Sequence, residues 1–527
     1  MHHSKLLRLG LSIASWALLS AAQAAEQARL PSGDSNLATS FRNPLYQGQD
    51  PWTMQEGGYY YSSTSGPENP TRIYVSRSRT LLDRGPKVLV YDGTGKQDNI
   101  FAPEIHRVQG RSYIYAHAYD MMERDRCHFV WEPESGNPLG SYRIASRIVR
   151  RVNGEKLPSA NDITVFTSPT DGKLYVIAAG PGGNCIAPMD SPTSVSANFV
   201  PIHAIYGEGP RVLIHNGRLF CTAAAGFWRY CNYHITMTEF LGGDLCNPAA
   251  WKLLGKVFEP DGEWTHTKNG HFFNKDGDWT HTAYGGKEPA NQFIPTKGNM
   301  WGTSRASFVK SADGREDWMV YHHKVWPVDE NGYRQISIQK FTWNPDGKPN
   351  FGVPVQAGTL QEKPSGDPGL GDQYEAEDAT LLGGATVNSD HKDYNGKGFV
   401  SNLAASGDGV FFSVNVPVAG FHIVTLRYSN GKYVAHEQQY KAKRSDAAPS
   451  HLTVYVNGQK IKRTTLDKTR NYDQWMQEAE ALKLKVGLNK IEYRMDPGDE
   501  GEVALDNLWL YSDPSWPESA SMRSRAD

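Results

Sequence analysis

Asn216-Gly217-Arg218-Leu219-Phe220 joins a two-residue turn to a strand of apolar and aromatic residues, and the same design recurs along the chain. The other copies are Gly57-Gly58-Tyr59-Tyr60-Tyr61, Gln109-Gly110-Arg111-Ser112-Tyr113-Ile114-Tyr115, Asp171-Gly172-Lys173-Leu174-Tyr175-Val176-Ile177 and Gly314-Arg315-Glu316-Asp317-Trp318-Met319-Val320-Tyr321. Gly, Asn and Asp tolerate the left-handed backbone of a tight hairpin, and aromatic and β-branched residues favour the strand that follows. One such unit every roughly 45–60 residues is the spacing of propeller blades. The last interval is longer and contains Asp276-Gly277-Asp278-Trp279-Thr280-His281, so the pattern by itself admits five or six copies.

Working outward, amphipathic helical patterns are nearly absent before residue 360, which favours an all-β chain over a TIM barrel. Residues 359–372 turn polar and contain Glu362-Lys363-Pro364-Ser365-Gly366-Asp367-Pro368-Gly369, the composition of a linker. Alternating strands follow over 373–513, among them Val410-Phe411-Phe412-Ser413-Val414-Asn415-Val416, and read as a β-sandwich of jelly-roll type. The fold expected is therefore a five-bladed β-propeller over 25–358, a linker, the sandwich, and a flexible tail at 514–527. A linker of this kind implies that the two halves are separable.

Lys5 and Arg8 precede the apolar run Leu9–Leu19, and Ala22-Gln23-Ala24 has the small-residue pattern of a cleavage site. Residues 1–24 thus read as a signal peptide, too short in its apolar part for a membrane anchor, and the protein is expected to be secreted or periplasmic. Removing them lowers Lys+Arg from 55 to 53 and leaves Asp+Glu at 57, a net charge of −4. That balance gives no attraction to nucleic acid or to an anionic membrane surface. Five cysteines, Cys127, Cys185, Cys221, Cys231 and Cys246, leave at least one thiol unpaired; one or two structural bridges at most are expected, with buried thiols as the alternative.

Three acids stand just before hairpin copies. Asp50 lies in Gln49-Asp50-Pro51-Trp52, Asp162 in Ala160-Asn161-Asp162-Ile163-Thr164, and Glu208 in Gly207-Glu208-Gly209-Pro210. Similar offsets in three repeats would place them at one depth around one axial cleft. Glycosidic hydrolysis needs such a set: one carboxylic acid protonates the leaving oxygen and one carboxylate activates water.

With these acids, Asn99-Ile100-Phe101-Ala102-Pro103-Glu104-Ile105-His106, Trp318-Met319-Val320-Tyr321-His322 and Phe341-Thr342-Trp343-Asn344-Pro345-Asp346-Gly347, the stretch from about Arg42 to Gly358 resembles glycoside hydrolase family 43, in particular members acting on α-L-arabinofuranosides. The resemblance implies an inverting glycosidase with Asp50 as general base, Asp162 as the residue tuning the acid, and Glu208 as general acid. A nearby Asp162 carboxylate would keep Glu208 protonated by like-charge repulsion. Trp52, Phe101, His106 and Arg334 are implied as substrate-binding, Arg334 having a surface ion pair as its alternative. Where many members carry Gly-His-Asn-Ser, whose His supports a metal or water cluster on the axis, this chain reads Gly302-Thr303-Ser304-Arg305. Either the Arg305 cation takes the metal's place or His271 does the work, and a propeller metal is doubtful. A metal site from His266, His271 and His281 is a weaker alternative, since no acidic ligand pattern accompanies them.

Residues 373–512 resemble carbohydrate-binding modules of families 6 and 35. That resemblance implies a structural calcium on Glu375, Glu377 and Asp506, with Tyr394, Trp475 and Asn507 meeting the sugar; for Trp475 a place in the core is the competing reading. The function expected is an exo-acting α-L-arabinofuranosidase on plant cell-wall arabinan or arabinoxylan, acting as a monomer. A β-xylosidase, galactofuranosidase or endo-arabinanase with the same acids, and a non-catalytic glycan-binding protein, are the alternatives.

Overall fold

The structure is a computed structural model that describes residues 39–65, 70–156, 162–180, 183–226, 233–259, 300–325, 334–431, 449–469 and 471–523. For 263–266, 272–273, 293–297, 325 and 521–523 only the backbone path is described. The signal segment, Cys231, His271, His281 and the side chain of His266 lie outside the described residues.

Among the described residues five antiparallel sheets of four or more strands form the blades of the first domain, beside smaller two- and three-stranded sheets. Blades 1 to 4 begin at Gln49–Glu56, Gln97–Val108, Ile163–Thr167 and Glu208–His215, and each adds three further strands in sequence order. Blade 5 orders Met300–Lys310, Asp317–Val325, Gln335–Trp343 and then Tyr46–Gln47, so the start of the domain supplies its outer strand and ties the ring shut. The five first strands touch in a closed cycle, 1 to 2 to 3 to 4 to 5 and back to 1, which makes them the inner wall. Among the described residues the count is five, and blade 5 begins at Met300, beyond the insertion; the copy at Asp276 lies outside the described residues.

The repeated turns do what their residues require. Gly57-Gly58, Gln109-Gly110 and Asn216-Gly217 all have positive φ and link strands paired at Glu56 with Tyr59, Val108 with Arg111 and His215 with Arg218. Two successive left-handed residues give the turn whose twist matches the flanking strands.

The second domain packs two sheets face to face. One orders Thr386–Asn388, Phe399–Leu403, Val503–Ser512, Gly420–Ser429 and Met476–Leu484; the other orders Thr380–Leu382, Gly409–Val416, Gly487–Arg494, Ser450–Val456 and Gln459–Leu466. Val410, Phe412, Val414, Leu426, Leu452, Ile491 and Leu505 fill the space between them.

Three expectations need correction. Residues 359–372 are not a free linker: Leu360–Glu362 pairs with Ser40–Arg42, Leu370 is buried, and buried Asp367 accepts from Thr80 Oγ1 and the Leu81 N–H. Residues from 514 on are not all a flexible tail, because Trp516 and Ala520 are buried and Glu518–Arg523 forms a short helix. Cys127, Cys185, Cys221 and Cys246 are free thiols, so no bridge forms among the described cysteines.

The halves are also not separable beads. Phe421, Ile423, Ala479, Ala481, Tyr511 and Trp516 join one apolar cluster with Ile73, Val75, Val88 and Trp131 of blades 1 and 2. Buried ion pairs Arg77–Asp513 (2.7 Å) and Arg84–Glu478 (2.5 Å) cross the same boundary, as does the bond from Thr425 Oγ1 to Asp83 (2.6 Å).

Candidate active site

Each inner strand has a left-handed residue, on it or just before it, at a corresponding place near the axis. These are Asp50 (φ 53), Ala102 (φ 48), Asp162 (φ 71), Gly209 (φ 56) and Arg305 (φ 47), and in blades 1, 2, 4 and 5 the pairing register shifts there. A bulge of this kind turns a side chain out of the sheet, and a non-glycine residue held in it stores roughly 1–3 kcal/mol of strain. Blades 1, 3 and 5 thereby aim Asp, Asp and Arg at the axis. In blade 4 glycine takes the strained position and Glu208 stands one residue before it.

Arg305 holds the constellation together. Its Nη1 donates to Asp162 Oδ1, its Nη2 to Glu208 Oε2 (3.0 Å), and its Nε lies 3.1 Å from the Tyr233 hydroxyl and 3.3 Å from Asp50 Oδ1. Burial lowers the pKa of the guanidinium, but Asp162, Tyr233, Asp50 and Glu208 outweigh this and hold it well above its ordinary value. Burial likewise raises Asp162, and the Arg305 and Arg211 charges with the Gly209 N–H reverse the balance, so its carboxyl lies below the usual range.

The three acids differ in access. The side chain of Asp162 is 0% exposed, that of Asp50 7% and that of Glu208 37%. Asp50 accepts from Ser65 Oγ (2.8 Å) and Arg334 Nη1 (3.3 Å). Its own N–H donates to His322 Nδ1 (2.9 Å), a ring kept neutral by burial and by the Arg334 and Arg305 charges. Asp162 Oδ2 accepts the Gly209 N–H (2.8 Å), which anchors the strand start carrying Glu208. The Tyr233 hydroxyl donates to Glu208 Oε2 (3.0 Å).

Asp50, Asp162, Glu208, Arg305 and Arg334 are thus brought together. Asp162 and Glu208 are neighbours as expected, and Arg305 stands between them and donates to both carboxylates. Trp52 and His106 are absorbed in packing between blades 1 and 2: their rings lie 4.2 Å apart, Trp52 Nε1 donates to the Ile105 carbonyl (2.6 Å), and His106 Nε2 bonds Glu104 (2.7 Å). Buried Glu104 also pairs with Arg211, whose guanidinium lies over Trp52. Phe101 is half-buried beside the bulge at Ala102. Sequence reasoning missed Ser65, Tyr233 and His322, which come from second and third strands and carry no local turn or acid signal.

In the sandwich, Trp475 is 4% exposed and packs on Phe399, and Asn507 is fully buried, so neither offers a surface to a sugar. Tyr394 is half-buried against the same cluster. His391 stacks on Tyr472 at 5.2 Å on the adjoining loops. Of the three acids assigned to calcium, Glu375 and Glu377 each keep one buried oxygen without a partner. Burial, then the charges of Asp506, Glu377 and Asp378, push Glu375 up to about 8. Such crowding suits a hard cation. Asp506, the third of these acids, pairs through one oxygen with Arg427 and accepts the Asn395 N–H with the other. Among the described residues no three His, Cys, Asp or Glu side chains are grouped as a metal shell.

Comparison with known sequences places the chain. Residues 41–349 match the sequence model of glycosyl hydrolases family 43. The chain belongs to glycosyl hydrolase family 43. Residues 372–499 match the carbohydrate binding module of family 35. Alpha-L-arabinofuranosidase 43 of Humicola insolens is 28% identical over 357 residues, 61% of this chain and 65% of that protein. An extracellular exo-alpha-(1->5)-L-arabinofuranosidase of Streptomyces avermitilis is 27% identical over 354 residues, again 61% and 65%. A 1,6-alpha-glucosyltransferase of Sporosarcina globispora is 35% identical over 169 residues, 30% of this chain and 12% of that protein. The chain thus spans about two thirds of the two arabinofuranosidases and a small part of the transferase. A crystal structure of an α-L-arabinofuranosidase from Lactobacillus brevis aligns with 60% of this chain and 98% of its own, at 25% identity and a TM-score of 0.47.

Proposed function

We propose that this family 43 member is a secreted, inverting, exo-acting α-L-arabinofuranosidase on plant cell-wall arabinan or arabinoxylan. The observation that carries the reading is the set Asp50, Asp162 and Glu208 held by one guanidinium at the axis. The two arabinofuranosidase relatives support the choice of sugar, and one of them is named as extracellular. Asp50, oriented by Ser65, Arg334 and Arg305, takes the proton from the attacking water. Glu208, the acid open to the cleft, gives its proton to the leaving oxygen; Tyr233 and Arg305 hold Oε2, which leaves Oε1 for that transfer. Asp162 positions the acid through the Gly209 N–H and keeps Arg305 in place. One displacement on the opposite face of the sugar inverts the anomeric centre.

Asp50→Ala and Glu208→Ala are each expected to lower turnover of an aryl arabinofuranoside by at least about a hundredfold, the usual contribution of a general acid or base. A panel of aryl glycosides tests the sugar, and NMR of the first-formed anomer tests the mechanism. A retained product would falsify single displacement. A better xyloside than arabinofuranoside would move the assignment to a β-xylosidase.

A structural calcium is proposed for the sandwich on Glu375, Glu377 and Asp506, the unpartnered oxygens of the two glutamates supporting the reading. A cation that binds only the folded form stabilises it by mass action. Chelator is therefore expected to lower the melting temperature of the whole protein while initial rates on the aryl arabinofuranoside stay within about twofold. Rates abolished by chelator and restored by calcium would overturn the assignment and point to a metal at the axis.

A further inference from the structure

Among the described residues Tyr206 is the one aromatic in the group of large exposed hydrophobic side chains, 61% exposed, and it stands two residues before Glu208. Its backbone is held with unusual completeness. Asn184, itself buried, donates through Nδ2 to the carbonyls of Ile205 (2.7 Å) and Gly207 (2.9 Å), one on each side of Tyr206. The Tyr206 carbonyl accepts from Thr236 Oγ1 (2.8 Å). Gly207 has φ 122, and a Cβ there would run into the carbonyl of Ala224, so the chain presses against the neighbouring strand. Three successive carbonyls are clamped while the side chain of the middle residue is left in solvent.

Loop residues with exposed side chains are ordinarily the mobile ones, and an aromatic left in water on a fixed backbone loses little entropy when it meets a ligand. Consecutive Cα atoms are about 3.8 Å apart, so Tyr206 lies within roughly 7 Å of Glu208 along the chain. The loop enters the first strand of blade 4 at the end where the acids are exposed. We infer that Tyr206 is a fixed stacking platform for the sugar ring on the leaving-group side of the scissile bond, next to the acid that protonates that ring's oxygen. The ligand class is a sugar ring with an exposed apolar face, carried on an oligosaccharide. This extends the arabinosidase reading and rests on it.

Stacking made equally in the ground and transition states appears in KM and leaves kcat unchanged. The test compares an α-L-arabinofuranosyl fluoride, whose leaving group has no ring, with a (1→5)-linked arabinobiose. Tyr206→Ala is expected to raise KM for the disaccharide roughly five- to tenfold with kcat unchanged, and to leave the fluoride unaffected. Tyr206→Phe keeps the ring and is expected to restore the disaccharide KM. Wild-type KM in Tyr206→Ala, an equal loss on both substrates, or failure of Tyr206→Phe to restore it each overturns the platform. Turnover of neither substrate by the wild type overturns the arabinosidase reading and this proposal with it.

Discussion

Replacing Arg305 by methionine is expected to lower kcat by at least about a hundredfold, the scale of a lost preorganised charge at a catalytic centre. The guanidinium is 5% exposed and touches all three acids. Without it Asp162, fully buried, keeps only the Gly209 N–H and the more distant Arg211 charge. Removing one partner of a buried pair typically destabilises by about 3–5 kcal/mol. The pH dependence should change as well. In the wild type Asp162 lies below its ordinary value, so its contribution is present above the unfolded pKa and lost as pH falls through the folded one. In the variant the opposing Arg305 charge is gone and burial pushes Asp162 upward, so stability should instead fall as pH rises through the new value. Melting curves between about pH 4 and about pH 8 read this directly. Arg305→Lys keeps a charge but cannot reach three carboxylates with a planar fork, so it should recover part of the stability and little of the rate. Unchanged melting and turnover in Arg305→Met would remove Arg305 from the centre of the site.

Deleting residues 361–527 should leave a propeller that melts at least about 10 °C lower or fails to stay soluble, since several kcal/mol of burial are lost at roughly 2–4 °C each. The cut removes Ile423, Ala481 and Trp516 from the apolar cluster they share with Ile73, Val75 and Val88, and strips partners from Arg77, Arg84 and Asp83. It also breaks the pairing of Leu360–Glu362 with Ser40–Arg42, next to the strand that closes blade 5. Activity on a small aryl glycoside should fall with it. Gln335 Nε2 meets Met476 Sδ (3.8 Å), the Leu45 carbonyl accepts the Gln477 N–H (3.0 Å), and Gln335 adjoins Arg334 on Asp50. Wild-type melting and rate in the truncated protein would show that the boundary is dispensable.

The docked sandwich left a trace that pattern reading passed over. In Gly420–Ser429 every residue after the first is buried, and a run such as Phe421-His422-Ile423-Val424 marks a strand covered on both faces rather than one. Gly409–Val416 by contrast ends in the alternation of a strand with one solvated face. The Pro/Gly-rich stretch at 362–369 misled for a related reason: turn residues mark where the chain bends, whether it bends in water or against a neighbouring blade.

By itself the sequence determined the turns, the strands and the acids, because these depend on local chemistry. Asn216-Gly217 can adopt two left-handed residues in a row, and Asp50, Asp162 and Glu208 each occupy the same kind of place before a hairpin. It also marked Arg305 as a departure from the family's pattern. Only the tertiary structure decided what Arg305 does, that Tyr233, His322 and Ser65 support the acids, that Trp52 and His106 lie against each other, that Trp475 is a packing residue, and that the sandwich is docked. Those facts depend on contacts that range from 15 positions apart, between Ser65 and Asp50, to 454, between Tyr59 and Asp513. Ring closure and domain docking set such distances, and no local pattern encodes them.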